Sequence, residues 1–194
     1  MMLRLLLARH GESQWQVLGD EAGPNSVLTE LGRFQADRLG RWLAGHFEVD
    51  HIYASPLRRA QETAQSVAGH LGLAVEVHGD LAESAFLVQP KLPAFSSPLE
   101  TVDGGFADEL PSHKDYRLFR SRVAGALKDI LGRHEDGTVL IVAHAGTIGT
   151  VFRLLLGSDT FTVNVGNTTL HSLRWNGGQW HIEFVDRWDH LRGL

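Results

Sequence analysis

Two histidines in this sequence stand where the ends of buried strands are expected. His10 follows the apolar run Leu3–Ala8 and Arg9, and His144 follows the run Thr138–Ala143; the order strand, histidine, glycine, helix thus occurs twice. Nearly continuous apolar runs are typical of central parallel strands, and ligand sites of α/β sheets form at the carboxyl ends of such strands. The pattern therefore places two imidazoles, which can act as nucleophile or proton donor, at a sheet edge.

Arginines accompany the histidines and could bind an anion. Arg9 directly precedes His10, and Arg58 and Arg59 follow a short predicted strand, His51–Ala54. A phosphoryl group in transfer spreads negative charge over its equatorial oxygens, and a planar guanidinium group donates to two oxygens at once. These residue types therefore suit chemistry on a phosphate group. From local sequence alone, Arg59 could instead be a solvent-exposed helix residue, and Arg58 competes with it for the role.

Strands and helices alternate along the chain. Thr29 stands before an apolar pattern with a period near 3.6 residues and is placed to cap a helix that ends near Gly45. Further helices are predicted over 59–71, 116–131 and 146–156, and strands over 3–8, 51–54, 75–77, 138–143, 169–175 and 180–185, the last two as a hairpin. This order predicts an α/β fold, a three-layer α/β/α sandwich with a mostly parallel central sheet.

We expect residues 1–194 to form a single domain. A chain of 194 residues with 43% hydrophobic residues can bury one good core. From about residue 85 to 115, four prolines and a pair of adjacent glycines interrupt every periodicity. Long ordered loops in compact domains are often lids, so the sequence predicts a lid-like insertion there.

Composition narrows the classes of function. A net charge of -5 and a pI near 6.1 give no broad positive field, so neither nucleic acid nor an anionic membrane is expected as a partner. The absence of cysteine excludes disulfides, thiolate zinc sites and cysteine nucleophiles and is compatible with a cytoplasmic location, which we expect. The remaining histidines show no metal-ligand spacing, and the sequence has no glycine-rich P-loop. Neither a metal nor a cofactor is expected.

Four ordered sequence blocks resemble the histidine phosphatase superfamily, in its phosphoglycerate-mutase-like branch with the RHG motif. The blocks are RHGESQWQ at residues 9–16, LTxxGxxQA at 28–36, SPLRRAxxTA at 55–64 and VAHAG at 142–146, and NTT at 167–169 resembles the family's N-x-[ST] turn. They extend over most of the chain outside the predicted lid. The resemblance implies an α/β enzyme that acts on phosphate esters without a metal.

The resemblance also implies a role for each matching residue. Neutral His10 attacks phosphorus and forms a phosphohistidine, which water then hydrolyses. Glu83, in Leu81-Ala82-Glu83 at the family's L-x-E position, protonates the leaving oxygen and later activates the water, while His144 donates a hydrogen bond in its protonated form. The expected phosphate-binding residues are Arg9, Arg59, Gln16 and Ala145.

Departures from the family pattern guide the choice of reaction. Gln16 stands where the family has Asn, and Gly149 where an Arg is common, while the family's motifs after the acid and in the lid have no counterpart here. A mutase needs specific lid contacts to retain its phosphoenzyme, so hydrolysis of a small-molecule phosphate ester is the leading hypothesis. The alternatives are a cofactor-dependent phosphoglycerate mutase, a phosphohistidine-protein phosphatase, and a catalytically weak phosphate- or phosphoprotein-binding module. The sequence leaves the oligomeric state open.

Overall fold

The centre of the molecule is one six-stranded sheet. A computed structural model of the chain describes residues 2–94 and 113–193. Its strands are β1 (Leu3–Arg9), β2 (His51–Ala54), β3 (Val75–Val77), β4 (Gly137–Ala143), β5 (Leu170–Trp175) and β6 (Trp180–Arg187). They lie in the order β3-β2-β4-β1-β5-β6, with β1 to β4 parallel and the β5–β6 hairpin antiparallel. The predicted mostly parallel sheet and the terminal hairpin are confirmed.

Four long helices were expected and are present, with a short one before them. The helices are α1 (Gln14–Leu18), α2 (Glu30–His46), α3 (Arg58–Leu71), α4 (Lys114–Arg133) and α5 (Ala145–Leu156). Thr29 caps α2 as predicted, since its hydroxyl accepts a hydrogen bond from the Gly32 amide at 3.0 Å. Helix α1 was not predicted, because it is five residues long, buries none of them and so leaves no apolar period in the sequence. No helix in the described ranges is long and apolar enough to cross a membrane.

Alternate side chains of β1 enter two separate cores, which makes the fold three layers. Leu5 and Leu7 pack with α4 and α5 on one face, whereas Leu6 and Ala8 pack with α2 and α3 on the other. All four side chains are fully buried. A strand that is apolar on both faces can only lie inside such a sandwich, so the nearly continuous run at residues 3–8 reflects its central position.

The predicted lid is described only in part. Residues 95–112 lie outside the described part of the chain, whereas 85–94 form a loop with one short 3₁₀ turn, Gln89–Lys91. That the chain is one domain with a lid remains a prediction.

Two glycines let the loop after β1 dock directly on the first turn of α2. A Cβ atom on Gly32 would stand 1.9 Å from the Glu12 carbonyl oxygen, and a Cβ on Gly11 would stand 2.3 Å from the Gly32 carbonyl oxygen. Both neighbours are backbone atoms, which cannot move aside as a flexible side chain can. The contact fixes the position of the loop that begins with His10, one of the two histidines expected at the sheet edge.

We expect Gly32→Ala to destabilise the protein by about 1–3 kcal/mol or more, because the methyl group has to displace the backbone of the adjacent loop. Gly45→Ala is the matched control, since it lies in the same helix and a Cβ there meets nothing within 4 Å. The control is expected to be neutral or stabilising by up to about 1 kcal/mol. Urea unfolding of both variants tests this, and a Gly32→Ala variant as stable as Gly45→Ala would contradict the docking contact.

Candidate active site

The two sequence-predicted histidines meet at the carboxyl ends of β1 and β4. These strands are parallel neighbours with Arg9 opposite Ala143, and the His10 amide donates to the Ala143 carbonyl at 3.0 Å. The imidazole rings of His10 and His144 are 5.0 Å apart between centroids and are 3% and 1% exposed. The strand register therefore brings together two residues that are far apart in sequence.

Hydrogen bonds define which nitrogen of His10 carries the lone pair. Its Nδ1 lies 2.7 Å from the Gly11 carbonyl oxygen, which only accepts, so Nδ1 carries the proton. Its Nε2 accepts from Arg59 Nε at 3.1 Å. Burial, followed by the charge of Arg9, lowers the pKa of His10 from 6.5 to about 3. His10 is therefore neutral near pH 7 and offers an unprotonated Nε2.

Arg9 and Arg59 are buried cations beside this imidazole. Arg59 is 6% exposed and also donates to the Pro24 carbonyl at 2.7 Å, while Arg9 donates to the Val165 carbonyl at 2.8 Å. Burial lowers the pKa of both guanidinium groups, and the Glu83 carboxylate opposes that effect. Arg9 Nε is buried and has no hydrogen-bond partner in the described ranges. Their hydrogen-bond partners are all uncharged, so the pair forms a local site for an anion in a protein of negative net charge.

The competition between Arg58 and Arg59 is decided by the register of α3. The Arg58 side chain is 61% exposed and reaches Glu62 at 3.9 Å, pointing away from His10. Only Arg59 lies on the buried side of the helix beside the imidazole.

His144 is neutral where the family resemblance implied a charged side chain. Its Nε2 pairs with the Ser55 hydroxyl at 2.7 Å, and its Nδ1 is buried without a partner among the described residues. Burial holds the pKa of His144 well below its usual value, and the positive charges of Arg59 and Arg9 lower it further. The protein's own groups thus oppose protonation, so a charged His144 requires an anion close to it.

Glu83 lies at the amino end of α5. Its Oε2 accepts from the Gly146 amide at 2.9 Å and its Oε1 from the Ser84 amide at 3.0 Å. Arg122 on α4 holds the same segment by donating to the Asp80 and Ala82 carbonyls, both at 2.9 Å. Since a Cβ on Gly146 would stand 2.5 Å from Glu83 Oε1, the glycine is required for this approach.

Gln16 and Asn167 form a closed pair of side-chain amides. Each Nε2 or Nδ2 donates to the oxygen of the other amide at 3.0 Å, and Asn167 Nδ2 also donates to the His10 carbonyl at 3.0 Å. Of the two N–H groups on Gln16 Nε2, one is used in this pair. Ala145 is the first residue of α5, where amide N–H groups have no partner within the helix.

One cavity of about 990 Å³ joins most of these groups. The predicted site residues on its wall are Arg9, His10, Gln16, Arg59, Glu83 and Ala145. The described part of the predicted lid adds an apolar side that includes Phe86, Leu87, Val88 and Leu92. Gly149, Arg153, Thr162 and Val163 complete the opposite part of the wall. In the ranges that the structure describes, no group of three or more acidic or histidine side chains is arranged to hold a metal ion.

Sequence reasoning assigned no role to several residues that position the site. Ser55 contacts His144, Thr63 Oγ1 accepts from the Gly11 amide at 3.0 Å, and Asn167 contacts the backbone of His10. All three lie inside the matched sequence blocks, which was the available signal. Arg122 and Arg153 lie outside those blocks and had none.

Comparisons with known proteins identify relatives of this chain. The model of the histidine phosphatase superfamily (branch 1) matches residues 5–187. "Putative phosphoserine phosphatase 2" of Hydrogenobacter thermophilus is 31% identical over 205 aligned positions, covering 100% of each chain. "Probable phosphoglycerate mutase GpmB" of Erwinia tasmaniensis is 31% identical over 164 positions, covering 80% of this chain and 76% of that protein.

Two solved structures of one enzyme with a similar fold each contain a small phosphate ester. The phosphoserine phosphatase of Entamoeba histolytica in complex with 3-phosphoglyceric acid superposes with a TM-score of 0.71 at 26% identity, covering 97% of this chain and 99% of that one. A mutant of the same enzyme in complex with phosphoserine gives a TM-score of 0.71 at 25% identity, with the same coverage.

We expect His10 to stay neutral until the pH falls to about 3, and Arg9→Met to raise the pKa of His10 more than Arg59→Met does, because Arg9 has the larger electrostatic effect. Burial keeps the pKa below 6.5 in both variants. Imidazole ¹⁵N shifts followed by NMR from pH 8 downward measure this, with Arg58→Met as the control that leaves the pKa unchanged. A wild-type His10 that titrates near 6.5 would refute the buried neutral state.

Proposed function

Because the chain belongs to the histidine phosphatase superfamily, branch 1, we propose that it hydrolyses a small phosphomonoester through a phosphohistidine on His10. The chemistry of phosphatases and mutases comes with the family. The observation that carries the proposal is the unprotonated Nε2 of His10 beside two buried guanidinium groups that have no carboxylate partner in the described ranges. Such a site attracts a phosphate dianion and presents a nucleophile to it.

In the first step, Arg9 and Arg59 hold the phosphoryl oxygens while the lone pair of His10 Nε2 attacks phosphorus. The bond between phosphorus and the ester oxygen breaks, and its electron pair leaves with that oxygen. Glu83 in its protonated form donates the proton that the leaving alkoxide needs. Its position on the cavity wall at the amino end of α5 supports this role.

In the second step, the Glu83 carboxylate takes a proton from water, and the resulting hydroxide attacks phosphorus. The bond between phosphorus and Nε2 breaks, its electron pair returns to His10, and inorganic phosphate leaves. The hydrogen bond from Nδ1 to the Gly11 carbonyl keeps the ring in one orientation through both steps. His10 therefore ends the cycle in the tautomer in which it began.

His144 acts as a donor that responds to the substrate. A phosphoryl dianion placed beside it opposes the effects of burial and of the neighbouring cations, so binding raises the pKa of His144. Its partnerless Nδ1 is the atom for a phosphoryl oxygen, while Ser55 fixes the other side of the ring. Gln16 and the Ala145 amide complete the proposed phosphate contacts.

Hydrolysis is proposed ahead of mutation because the lid motif that a mutase of this family would need to retain its phosphoenzyme has no counterpart in this sequence. Phosphoglycerate mutation is the second candidate because it uses the same phosphohistidine. We also propose that the reaction needs no metal and that the enzyme works in the cytoplasm.

The wild type is expected to hydrolyse p-nitrophenyl phosphate equally well with and without EDTA. Cationic side chains stabilise the negative charge of the phosphoryl group, which a metal ion would otherwise stabilise. His10→Ala should lose more than about 10³-fold in kcat, because the nucleophile is removed. His46→Ala, at an exposed histidine at the end of α2, is the matched control with unchanged kcat. Steady-state assays of the three proteins test this prediction. Loss of wild-type activity on addition of EDTA would contradict the metal-free mechanism. If the enzyme hydrolysed no ester but isomerised 3-phosphoglycerate, the second candidate, a phosphoglycerate mutase, would be established.

The role of Glu83 predicts a dependence on the leaving group. Glu83→Gln should slow phosphohistidine formation from an alkyl phosphate at least about 10²-fold, but from p-nitrophenyl phosphate far less, since nitrophenolate leaves without a proton. Rapid-quench measurement of the phosphorylated enzyme separates this step from hydrolysis. Glu76→Gln, at an exposed surface ion pair with Arg133, is the control. An equal loss on both esters would assign Glu83 a structural role.

A further inference from the structure

The proposed reaction leaves one buried cation on the cavity wall unused. Arg153 lies near the end of α5, is 3% exposed, and lines the cavity together with Gly149, Thr162 and Val163. Burying a guanidinium group is costly unless it gains specific partners. The hydrogen bonds that Arg153 forms therefore show which of its N–H donors have no acceptor in the described ranges.

Arg153 keeps two donors without a partner in the described part of the chain. Nε donates to the Tyr116 hydroxyl at 2.8 Å, one terminal nitrogen to the Phe161 carbonyl at 3.4 Å and the other to the Thr150 hydroxyl at 3.2 Å. A guanidinium group has five N–H donors, so one remains on each terminal nitrogen. Two such N–H groups match the two oxygens of a carboxylate.

Gly149 leaves space between these nitrogens and the cavity. A Cβ on Gly149 would stand 3.3 and 3.4 Å from the two terminal nitrogens of Arg153, which therefore lie directly beside bare backbone. Gly149 itself lines the cavity. The guanidinium group has thus folded back by one helical turn toward the amino end of α5.

Positive charge exceeds negative charge around Arg153. Asp159 is its nearest carboxylate, at 3.6 Å from Nε, but the same carboxylate also faces Arg120 at 3.4 Å and accepts from the Tyr116 hydroxyl at 2.8 Å. Arg120 Nε is buried and forms no hydrogen bond within residues 2–94 and 113–193. In these ranges one carboxylate serves two guanidinium groups, which leaves one positive charge for an anion.

The distance between this cation and the proposed phosphate site is short. Gly149 is four residues after Ala145, which corresponds to about 6 Å along the helix axis. A phosphate bound at the amino end of α5 and a second anion at Arg153 would therefore be bridged by a linker of only a few atoms.

We propose that Arg153 binds a second anionic group of the substrate, a carboxylate, so that the enzyme acts on short phosphorylated carboxylic acids. The proposal rests on the proposed phosphatase function and names the substrate class of the same cavity. Arg153 is the specificity-determining residue, and Gly149 gives its guanidinium group access to the cavity. Asp159 and Tyr116 position it.

Two pairs of esters that differ in the carboxylate test the proposal: phosphoserine against phosphoethanolamine, and 3-phosphoglycerate against glycerol 3-phosphate. The wild type should prefer the acid of each pair in kcat/KM. Arg153→Gln should lower kcat/KM for the acids about 10- to 100-fold, mainly through KM, because a charged hydrogen-bonding partner is lost. The two carboxylate-free esters should change less than about twofold. Arg41→Gln, at an exposed arginine on α2, is the matched control.

Asp159→Asn provides a variant with the opposite expectation. It keeps an oxygen for the Tyr116 hydroxyl but removes the competing negative charge, so KM for the acids should fall while KM for the other esters stays constant. This result would support the proposal even if Arg153→Gln failed to fold, because structural damage raises KM for both classes. Equal losses on all esters in a folded Arg153→Gln variant, or a wild type without preference for the acids, would overturn the proposal. Absence of turnover of every ester, p-nitrophenyl phosphate included, would instead refute the phosphatase function.

Discussion

The hydrogen bond from the His10 amide to the Ala143 carbonyl carries the pairing of β1 and β4 one residue beyond the strands, and the site depends on it. It places the loop with His10 and the start of α5 with His144 side by side. The close contact of Gly11 with Gly32 then holds the first loop from the opposite side. With the backbone fixed in this way, the imidazole needs only its hydrogen bonds to Gly11 and Arg59 to point in one direction.

The site brings together buried imidazole and guanidinium groups, which do not add to the free energy of unfolding. Two imidazoles with lowered pKa values bind fewer protons in the folded than in the unfolded state, so their titration leaves stability unchanged above about pH 6.5 and lowers it as the pH falls toward the folded pKa values. The buried arginines gain only uncharged partners around His10. Stability here comes from the two apolar cores, which offset the electrostatic cost of the buried charges at the sheet edge between them.

Sequence periodicity was sufficient for the fold and for the residues next to strand ends. His10 and His144 could be placed together because parallel strands end at one edge, and the matched block at residues 55–64 indicated Arg59. Contacts between side chains distant in sequence could not be predicted, such as the amide pair of Gln16 with Asn167, which are 151 residues apart. The lowered pKa of His144 was also beyond sequence, because it results from burial combined with charges on separate segments of the chain, such as Arg59 and Arg9.

The position of β1 in the sheet has a consequence for how the chain acquires its activity. The strand made first lies between β4 and β5, which are synthesised after residue 136. The backbone of His10 receives hydrogen bonds from Asn167 and Thr168 later still. Pairing over such separations is slow because loop-closure entropy has to be overcome first. The proposed nucleophile, His10, is therefore synthesised early, but its surroundings are complete only when nearly all of this chain is available, so a shortened translation product holds this histidine without the residues that position it.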